Sequence, residues 1–190
     1  MDTAMNQKER MLAGLPYKAW LDGLTEEREE NKKRIYRYNN TPPEQGEELG
    51  ALIREIIGKC GKNIFIEPPF RCDYGSNIEV GENFFANYNL TILDVGKVTI
   101  GKNAQIAPNV SIFTAGHPVH PDSRNSGYEY GISVTIGHNV WLGGNTVINP
   151  GVTIGNNVVI GAGSVVTKDI PDNVIAVGNP CRVLRAITEE

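Results

Sequence analysis

The sequence of 190 residues predicts a mainly β fold: a parallel β-helix with a small helical segment at its N-terminus and one long extended loop. Two observations carry this prediction. A six-residue period of aliphatic residues runs through the C-terminal half, and near residue 62 the chain changes from charged and glycine-poor to glycine- and asparagine-rich. We therefore divide the chain into a helical segment (1–60), a β-helix (61–180) with the extended loop 113–135, and a C-terminal tail (181–190).

The six-residue period is clearest from residue 136, where the chain divides into the blocks IGHNVW, LGGNTV, INPGVT, IGNNVV, IGAGSV and VTKDIP. The first position of every block is aliphatic, and the fifth is mostly small or β-branched. A weaker copy covers 80–91 and 100–117, offset by two extra residues around Val95 and Gly96. Such repeats are typical of a parallel β-helix, in which one aliphatic residue of each block points inward and turns stacked roughly 4.8 Å apart build the core together.

The N-terminal segment has a helical pattern instead. Aliphatic residues recur at helical spacing at Leu49, Leu52, Ile53, Ile56 and Ile57, and Thr41-Pro42-Pro43-Glu44 is a helix start signal ahead of them. We expect short amphipathic helices within KERMLAG, LTEEREENKKRIYRYNN and EELGALIREIIGKCG. A small helical unit of this kind is expected to cap the β-helix.

Composition narrows the classes of partner. A formal charge of −4 and a pI near 5.5 argue against nucleic acid or an anionic membrane as the main partner. The 3 cysteines are odd in number, widely spaced and without a CxxC pair, so reduced thiols in a cytoplasmic protein are expected. No apolar run approaches about 18 residues, and no signal-peptide pattern opens the sequence.

The long interruption of the repeat begins with FTAGHPVHPDSR, which holds two of the 3 histidines. On a loop that leaves a rigid scaffold, His117 could act as a general base near neutral pH, or it could simply bond to the loop backbone. His117 and His120 could also bind a metal. We expect no metal site, because Pro118 keeps the two off one helix face and the third candidate, His138, follows Gly137 in a repeat turn and should face solvent.

A sparse basic group stands near the C-terminal end of the repeats and consists of Lys168, Arg182 and Arg185. Taken alone, these residues fit either a site for an anionic ligand or ordinary solvated surface charge. No GxSxG motif or Cys–His pairing suggests a nucleophile, so Cys60 and Cys72 are expected to be bystanders.

Long stretches of the chain resemble the maltose and galactoside acetyltransferases, the sugar O-acetyltransferases of the hexapeptide-repeat acyltransferase superfamily. The likeness is carried by IEPPFRCDYGSNIEVGENFFANYNLTILD, IAPNVSIFTAGHPVHPDSRNSG, TIGHNVWLGGNTVINPGVTIGNNVVIGAGSVVTKDIP and GNPCRV, and by the N-terminal segment ending in RIYRYN. FRCDYG and SRNSG favour the maltose type. The resemblance implies a left-handed β-helix, a homotrimer with active sites between subunits, and acetyl transfer from acetyl-CoA to a sugar hydroxyl, the 6-OH being expected.

The resemblance also implies roles for individual residues. His117 in TAGHPVH matches the catalytic base, which lets the sugar oxygen attack the thioester directly in a ternary complex. The backbone N–H of Gly144 matches a group placed near the acetyl carbonyl, where it would suit an oxyanion. Further matched positions line the acceptor region (Asp73, Asn87 and Trp141) or hold coenzyme A (Ala162, Thr167, Lys168, Arg182 and Arg185).

Two departures bear on the acceptor. Galactoside enzymes have acidic residues in the acceptor pocket at the positions of Ala19 and Val95, so glucose or maltose is the better expectation here. Three alternatives stay open: a hexapeptide acetyltransferase for a non-sugar acceptor, a β-helical metalloenzyme resembling the γ-type carbonic anhydrases, and a non-catalytic scaffold. The RIYRYN segment favours a sugar acceptor, while metal analysis and acetyl-CoA binding would separate the other two.

Overall fold

The computed structural model of the chain describes residues 5–188. Within that range, no helix combines the length and the apolar character that crossing a membrane requires. The four helices are α1 (Gln7–Leu12), α2 (Leu24–Asn40), α3 (Gly46–Ile56) and α4 (Pro121–Asn125). The first three lie in the part of the chain whose spacing predicts helices.

Local sequence explains why these helices form. Helix α1 begins with a capping box, in which the Asn6 side chain accepts a hydrogen bond from the Glu9 N–H (2.9 Å) and the Glu9 carboxylate accepts one from the Asn6 N–H (2.8 Å). In helix α3, the residues that recur at helical spacing are all buried, from Leu49 to Ile56. This face packs on the first turn of the β-structure and closes that end of its core.

Twenty short strands follow one another within residues 5–188. They are β1 (Tyr17–Lys18), β2 (Lys59–Cys60), β3 (Phe65–Ile66), β4 (Arg71–Cys72), β5 (Ile78–Val80), β6 (Phe85–Ala86), β7 (Thr91–Leu93), β8 (Val98–Ile100), β9 (Gln105–Ile106), β10 (Ser111–Phe113), β11 (Ala115–Gly116), β12 (Tyr128–Gly131), β13 (Val134–Ile136), β14 (Trp141–Leu142), β15 (Val147–Ile148), β16 (Thr153–Ile154), β17 (Val159–Ile160), β18 (Val165–Val166), β19 (Val174–Val177) and β20 (Arg182–Ala186).

Three parallel sheets form the sides of a triangular prism, and the chain visits them in turn. The first face is β2-β5-β8-β13-β16, the second is β3-β6-β9-β14-β17-β19, and the third is β4-β7-β10-β15-β18. The predicted parallel β-helix is confirmed. The predicted tail, 181–190, contains strand β20, which pairs antiparallel with β19 at the edge of the second face.

The core is wider than the hexapeptide pattern suggests. The predicted inward-facing aliphatic residue at the first position of each block is confirmed, and the fifth position is buried as well. Two of the fifth residues, Thr146 and Ser164, are polar, and each hydroxyl donates a 2.6 Å hydrogen bond to a carbonyl three residues earlier, of Gly143 and Gly161. Small or β-branched side chains recur there because they fill the corner without leaving a polar atom unpaired.

A ladder of asparagines runs along the corner between the first and second faces. Each side-chain amide except the last donates to the amide oxygen of the next turn at 2.8–3.1 Å, and all six residues have φ between 53° and 61°. Asparagine tolerates this left-handed backbone better than other non-glycine residues. The ladder consists of Asn63, Asn83, Asn103, Asn139, Asn157 and Asn173.

Candidate active site

From strand β2 to strand β18, equivalent positions of successive strands are six residues apart at every corner but one. The exception is the corner between the third face and the first, where extra residues are inserted. Here the chain takes eight residues in each of the first two turns and 24 in the next, as the aligned positions Arg71–Glu79, Thr91–Thr99 and Ser111–Thr135 show. We call residues 73–77, 93–97 and 113–133 the insertion corner. The two extra residues predicted around Val95 and Gly96 are confirmed, and the same insertion occurs one turn earlier.

The long loop is a folded element and not an irregular excursion. Strands β11 and β12 pair antiparallel within it, helix α4 lies between them, and β1 of the N-terminal segment pairs with the other side of β12. This small sheet packs over the insertion corner and encloses a second hydrophobic core of Met11, Tyr17, Ala19, Leu24, Tyr74 and Val95. The corner is thereby covered by two distant parts of the chain.

His117 directly follows strand β11. Its imidazole is exposed and has no hydrogen bond or ion pair with another residue of the range 5–188. The residue before it, Gly116, leaves room for the Tyr130 ring, which a side chain at that position would strike. The arrangement presents the imidazole from a fixed strand end, as a general base requires. His120 also lies on the surface, 3.8 Å from the Asp122 carboxylate.

Asp73 is held in place by a second carboxylate beneath it. Asp94 Oδ1 accepts hydrogen bonds from the backbone N–H groups of Asp73 (2.9 Å) and Tyr74 (3.0 Å), and the Asp94 carbonyl accepts one from Asn77 (2.7 Å). Burial raises the pKa of Asp94 to about 6, and its Oδ2 is buried without a partner. Burial also raises the pKa of Asp73, which is half-buried.

Sequence reasoning missed four polar residues at this corner, which are Tyr17, Arg28, Tyr74 and Glu129. The Tyr17 hydroxyl donates a 2.9 Å hydrogen bond to Glu129 Oε2, and Arg28 donates to the Tyr74 hydroxyl (2.6 Å) and to a backbone carbonyl of the N-terminal segment (2.8 Å). Burial, reinforced by the charge of Glu129, raises the pKa of Tyr17, and burial raises that of Tyr74 to about 12, so both hydroxyls stay protonated at ordinary pH. Tyr17 donates to Glu129, whereas Tyr74 accepts from Arg28. No local motif marks these residues, because their contacts join positions 112 apart for Tyr17 and Glu129, and 46 apart for Arg28 and Tyr74.

Ala19 and Val95 lie in the second core, 8% and 4% exposed. Neither position supplies a polar atom from its side chain. The acidic side chains at the insertion corner are Asp73 and Asp94 from the β-helix and Glu129 and Asp122 from the loop, and Asp122 is exposed on helix α4.

A separate set of predicted residues lies around the second face. Trp141 points outward from strand β14 and is 53% exposed, and it lines a groove of about 170 Å³ with Phe85, Asn87, Gln105 and Pro108 among its walls. The Asn87 backbone N–H donates to a carbonyl of the next turn (2.8 Å), and its Oδ1 accepts from the Tyr88 N–H (2.7 Å). Its side-chain amide donates to no residue that the structure describes, so it remains free to bind a ligand.

Gly144 and Ala162 occupy the corner between the second and third faces, one turn apart. The neighbours of Gly144 donate their backbone N–H groups to carbonyls of adjacent turns, at 2.8 and 3.0 Å, whereas the Gly144 N–H has no such partner among residues 5–188. Ala162 is exposed. A half-buried, unpaired N–H of this kind is a suitable donor to a developing oxyanion.

The predicted coenzyme cations are on the surface. Thr167 and Lys168 follow strand β18, at the same corner of the β-helix from which the long loop emerges. Strand β18 is two strands away from β10, so these residues lie roughly 10 Å from the start of the loop along the β-helix axis. Arg182 and Arg185 lie on strand β20, and their guanidinium groups donate only to nearby carbonyls (2.7 and 3.2 Å). Lys168, Arg182 and Arg185 form no ion pair with any residue of the described chain.

The predicted site residues thus form two groups in a single chain. One side of the prism separates them, a span of about six residues and so at most roughly 20 Å. The first group, at the corner of the long loop, is His117, Asp73, Thr167 and Lys168; the second, around the second face, is Asn87, Trp141, Gly144, Ala162, Arg182 and Arg185.

The histidines do not converge as metal ligands. His138 lies on the asparagine-ladder corner, away from the loop, and its Nδ1 accepts a 2.9 Å hydrogen bond from the Lys102 backbone. Among residues 5–188, no group of three or more His, Cys, Asp or Glu side chains is arranged to hold a metal ion. All 3 cysteines are free thiols, and burial raises the pKa of Cys72 well above its usual range.

Two family descriptions match the chain. The maltose acetyltransferase hexapeptide capping motif covers residues 10–61, and the bacterial transferase hexapeptide (six repeats) covers residues 133–168. The first contains helices α2 and α3. The second contains the uninterrupted repeats after the long loop.

Solved structures and curated proteins are similar over nearly the whole chain. A maltose O-acetyltransferase from Clostridium difficile 630 is 56% identical with a TM-score of 0.96, over 98% of this chain and all (100%) of that one. A galactoside acetyltransferase in complex with coenzyme A is 51% identical with a TM-score of 0.94, over 97% and 92%. The galactoside O-acetyltransferase of Escherichia coli K12 is 51% identical over 97% of this chain and 91% of its own.

Proposed function

The chain belongs to the maltose and galactoside O-acetyltransferases of the hexapeptide-repeat class, and from that premise we propose that it acetylates a hydroxyl of a glucose- or maltose-type sugar. It is an acetyl-CoA-dependent sugar O-acetyltransferase. The observation that carries the proposal is the exposed His117 imidazole, fixed at a strand end over a corner that bears the Asp73 and Glu129 carboxylates. The 6-OH is the proposed site of acetylation.

His117 acts as the general base in this proposal. It accepts the proton of the sugar hydroxyl while the sugar oxygen attacks the thioester carbonyl of acetyl-CoA. The Gly144 N–H donates to the oxyanion of the tetrahedral intermediate. When the intermediate collapses, the C–S bond breaks, the acetyl group stays on the sugar, and the imidazolium returns its proton to the thiolate of coenzyme A. No acyl-enzyme forms.

Acetyl-CoA is the co-substrate, and a solved relative holds coenzyme A. Its phosphates suit Lys168, Arg182 and Arg185, three exposed cations that form no ion pair with a carboxylate of the described chain. Ala162 and Thr167 leave room for the rest of the coenzyme beside them. No metal is required by this chemistry.

The active site is proposed to lie between subunits of a homotrimer. His117 and Asp73 stand at one corner of the prism, while Asn87, Trp141 and Gly144 stand around the second face. A second copy that placed its second face against the insertion corner of the first would join the two groups. Repeating that contact around a three-fold axis closes a ring of three equal sites.

The acceptor is proposed to be glucose or maltose and not a galactoside. Ala19 and Val95 lie in an apolar core, so they bring no carboxylate to the acceptor pocket. Asp73 supplies one instead, from the first turn of the insertion corner.

Release of free coenzyme A tests this function directly. The purified protein and acetyl-CoA are incubated with glucose, maltose, isopropyl-thiogalactoside, serine or an antibiotic, and a thiol reagent detects the product. We expect release with glucose and maltose that exceeds release with the galactoside. Turnover with serine or the antibiotic, and none with any sugar, would contradict the sugar assignment.

A further inference from the structure

We propose that Glu129 binds a hydroxyl of the acceptor sugar from the loop side of the pocket, and that Tyr17 positions it. This inference rests on the proposed sugar acetylation and adds to it a residue that determines which sugar is accepted. The groups concerned are the Glu129 carboxylate on strand β12, the Tyr17 hydroxyl on strand β1, and the His117 imidazole at the end of strand β11.

The small antiparallel sheet places Glu129 beside His117. Strand β12 lies between β1 and β11, and Ala115 pairs with Gly131 while Gly116 pairs with Tyr130. Continuing that ladder by one residue puts Glu129 opposite His117. Directly opposite residues of an antiparallel pair project from the same face with Cβ atoms about 5 Å apart. A sugar whose hydroxyl meets the imidazole therefore has another hydroxyl within reach of this carboxylate.

Tyr17 fixes the position of Glu129 from the other side. The two residues are paired in the ladder between β1 and β12, and the Tyr17 hydroxyl donates to Oε2 at 2.9 Å. Tyr17 itself is fully buried, so its ring cannot turn away. The second oxygen, Oε1, takes no hydrogen bond from any residue of the range 5–188, and it is not enclosed.

The charge of Glu129 is available to a ligand. It forms no ion pair within the described chain, and the nearby Arg28 is engaged with Tyr74 and the Ala19 carbonyl. The Glu129 charge is also close enough to Asp73 to contribute to the raised pKa of that carboxyl. Two carboxylates, one from the loop and one from the β-helix, thus lie near each other at the insertion corner. Ionised carboxylates only accept hydrogen bonds, which matches the O–H donors of a sugar.

The test combines variants with modified sugars. Glu129→Gln, Tyr17→Phe and a control, Glu30→Gln, whose carboxylate lies on the exposed face of helix α2 bound to Lys33, are assayed by coenzyme A release. Each enzyme is given glucose and its singly deoxygenated analogues at the 2, 3 and 4 positions. KM for the sugar, KM for acetyl-CoA and kcat are measured separately, and circular dichroism checks each fold.

For Glu129→Gln we expect kcat/KM for glucose to fall about 10- to 100-fold, mainly through KM for the sugar, with KM for acetyl-CoA within about twofold. The wild type should discriminate against one deoxy analogue by a similar factor, and the variant should lose that discrimination. Tyr17→Phe should show the same pattern more weakly, and it carries the test if Glu129→Gln does not fold.

An unchanged deoxy-sugar profile in both variants, or a fall in kcat alone, would overturn the role of Glu129 in binding sugar. Failure of the proposed function has a different signature, because the wild type and Glu30→Gln would then release no coenzyme A with any sugar.

Discussion

At the residue scale, His117 is distinguished from the other two histidines by what surrounds it. His138 is tied to the Lys102 backbone, and His120 lies near the Asp122 carboxylate, whereas the His117 imidazole has no partner in the described chain. A ring that is fixed through its backbone but unoccupied at both nitrogens is ready to take a proton from a substrate. The imidazole is therefore accessible to a substrate hydroxyl, which the proposed role as general base requires.

Replacing His117 by Ala should lower kcat by a factor on the order of 10² to 10⁴, because the variant lacks the general base that removes the proton from the sugar hydroxyl. The coenzyme A release assay measures this loss. The matched control is His120→Ala, an exposed histidine three residues further on, and it should retain activity within about twofold. Equal activity of the wild type and His117→Ala would rule out His117 as the base.

The buried Asp94 carboxyl should make the free energy of unfolding depend on pH. Burial raises its folded pKa to about 6, and Asp73 and the Cys72 thiol are the titratable groups around it. Between about pH 4 and pH 6 the folded chain keeps a proton that the unfolded chain has released, so the free energy of unfolding falls as the pH rises through this window. The cost above pH 6 is about 3 kcal/mol.

Asp94→Asn removes that ionisation and keeps an oxygen to accept the two backbone N–H bonds. The stability of the variant relative to the wild type should therefore increase from pH 4 to pH 7, by at most about 3 kcal/mol. Denaturant unfolding across this range measures the difference. Asp169→Asn, an exposed carboxylate that caps the Thr153 N–H at 2.7 Å, serves as the baseline. A constant difference between Asp94→Asn and the wild type at all pH values would contradict the prediction.

At the scale of elements, the asparagine ladder links successive turns at one corner. Asn139 lies in its middle: it accepts from Asn103, donates to Asn157, and has φ of 57°. The residue at such a position needs two properties: it must tolerate the left-handed backbone, and its side-chain amide must both donate and accept a hydrogen bond. Asparagine is the residue that combines them.

Asn139→Ala should lower the free energy of unfolding by about 2 kcal/mol, from two lost hydrogen bonds and a strained backbone. Asn139→Gly loses the same hydrogen bonds without the strain, so it should cost about half as much. Urea unfolding of the two variants separates the contributions. If alanine is tolerated as well as glycine, the left-handed backbone is not what selects asparagine here.

At the scale of the whole molecule, the repeat made the fold predictable because every six-residue block has an aliphatic residue at the same, inward-facing position. The period also made its own interruptions visible in the sequence, namely the two-residue offset near Val95 and the break after Phe113. The small sheet does not, because Tyr17 and Glu129 are 112 residues apart and their strands are only two and four residues long. Pairing over that distance leaves no local signature, so Glu129 could be found only from the structure.

The division of the site into two groups is also a property of the whole molecule. Sequence spacing could identify the residues that match a family, but it could not show that they sit at different corners of the prism. The helical segment and the long loop cover one corner, and the second face stays open beside Trp141. In the proposed arrangement, two copies complete each active site together, with His117 from one and Gly144 and Ala162 from the next.

Complementation between inactive variants tests this arrangement most directly. His117→Ala lacks the base, and Ala162→Trp fills the coenzyme site from an exposed position without disturbing the core. Each is expected to be inactive alone. Coexpressed in equal amounts, random mixing should restore about a quarter of wild-type activity, because one site in four takes both intact groups from different copies. No activity in verified mixed assemblies would show that each chain builds its site alone.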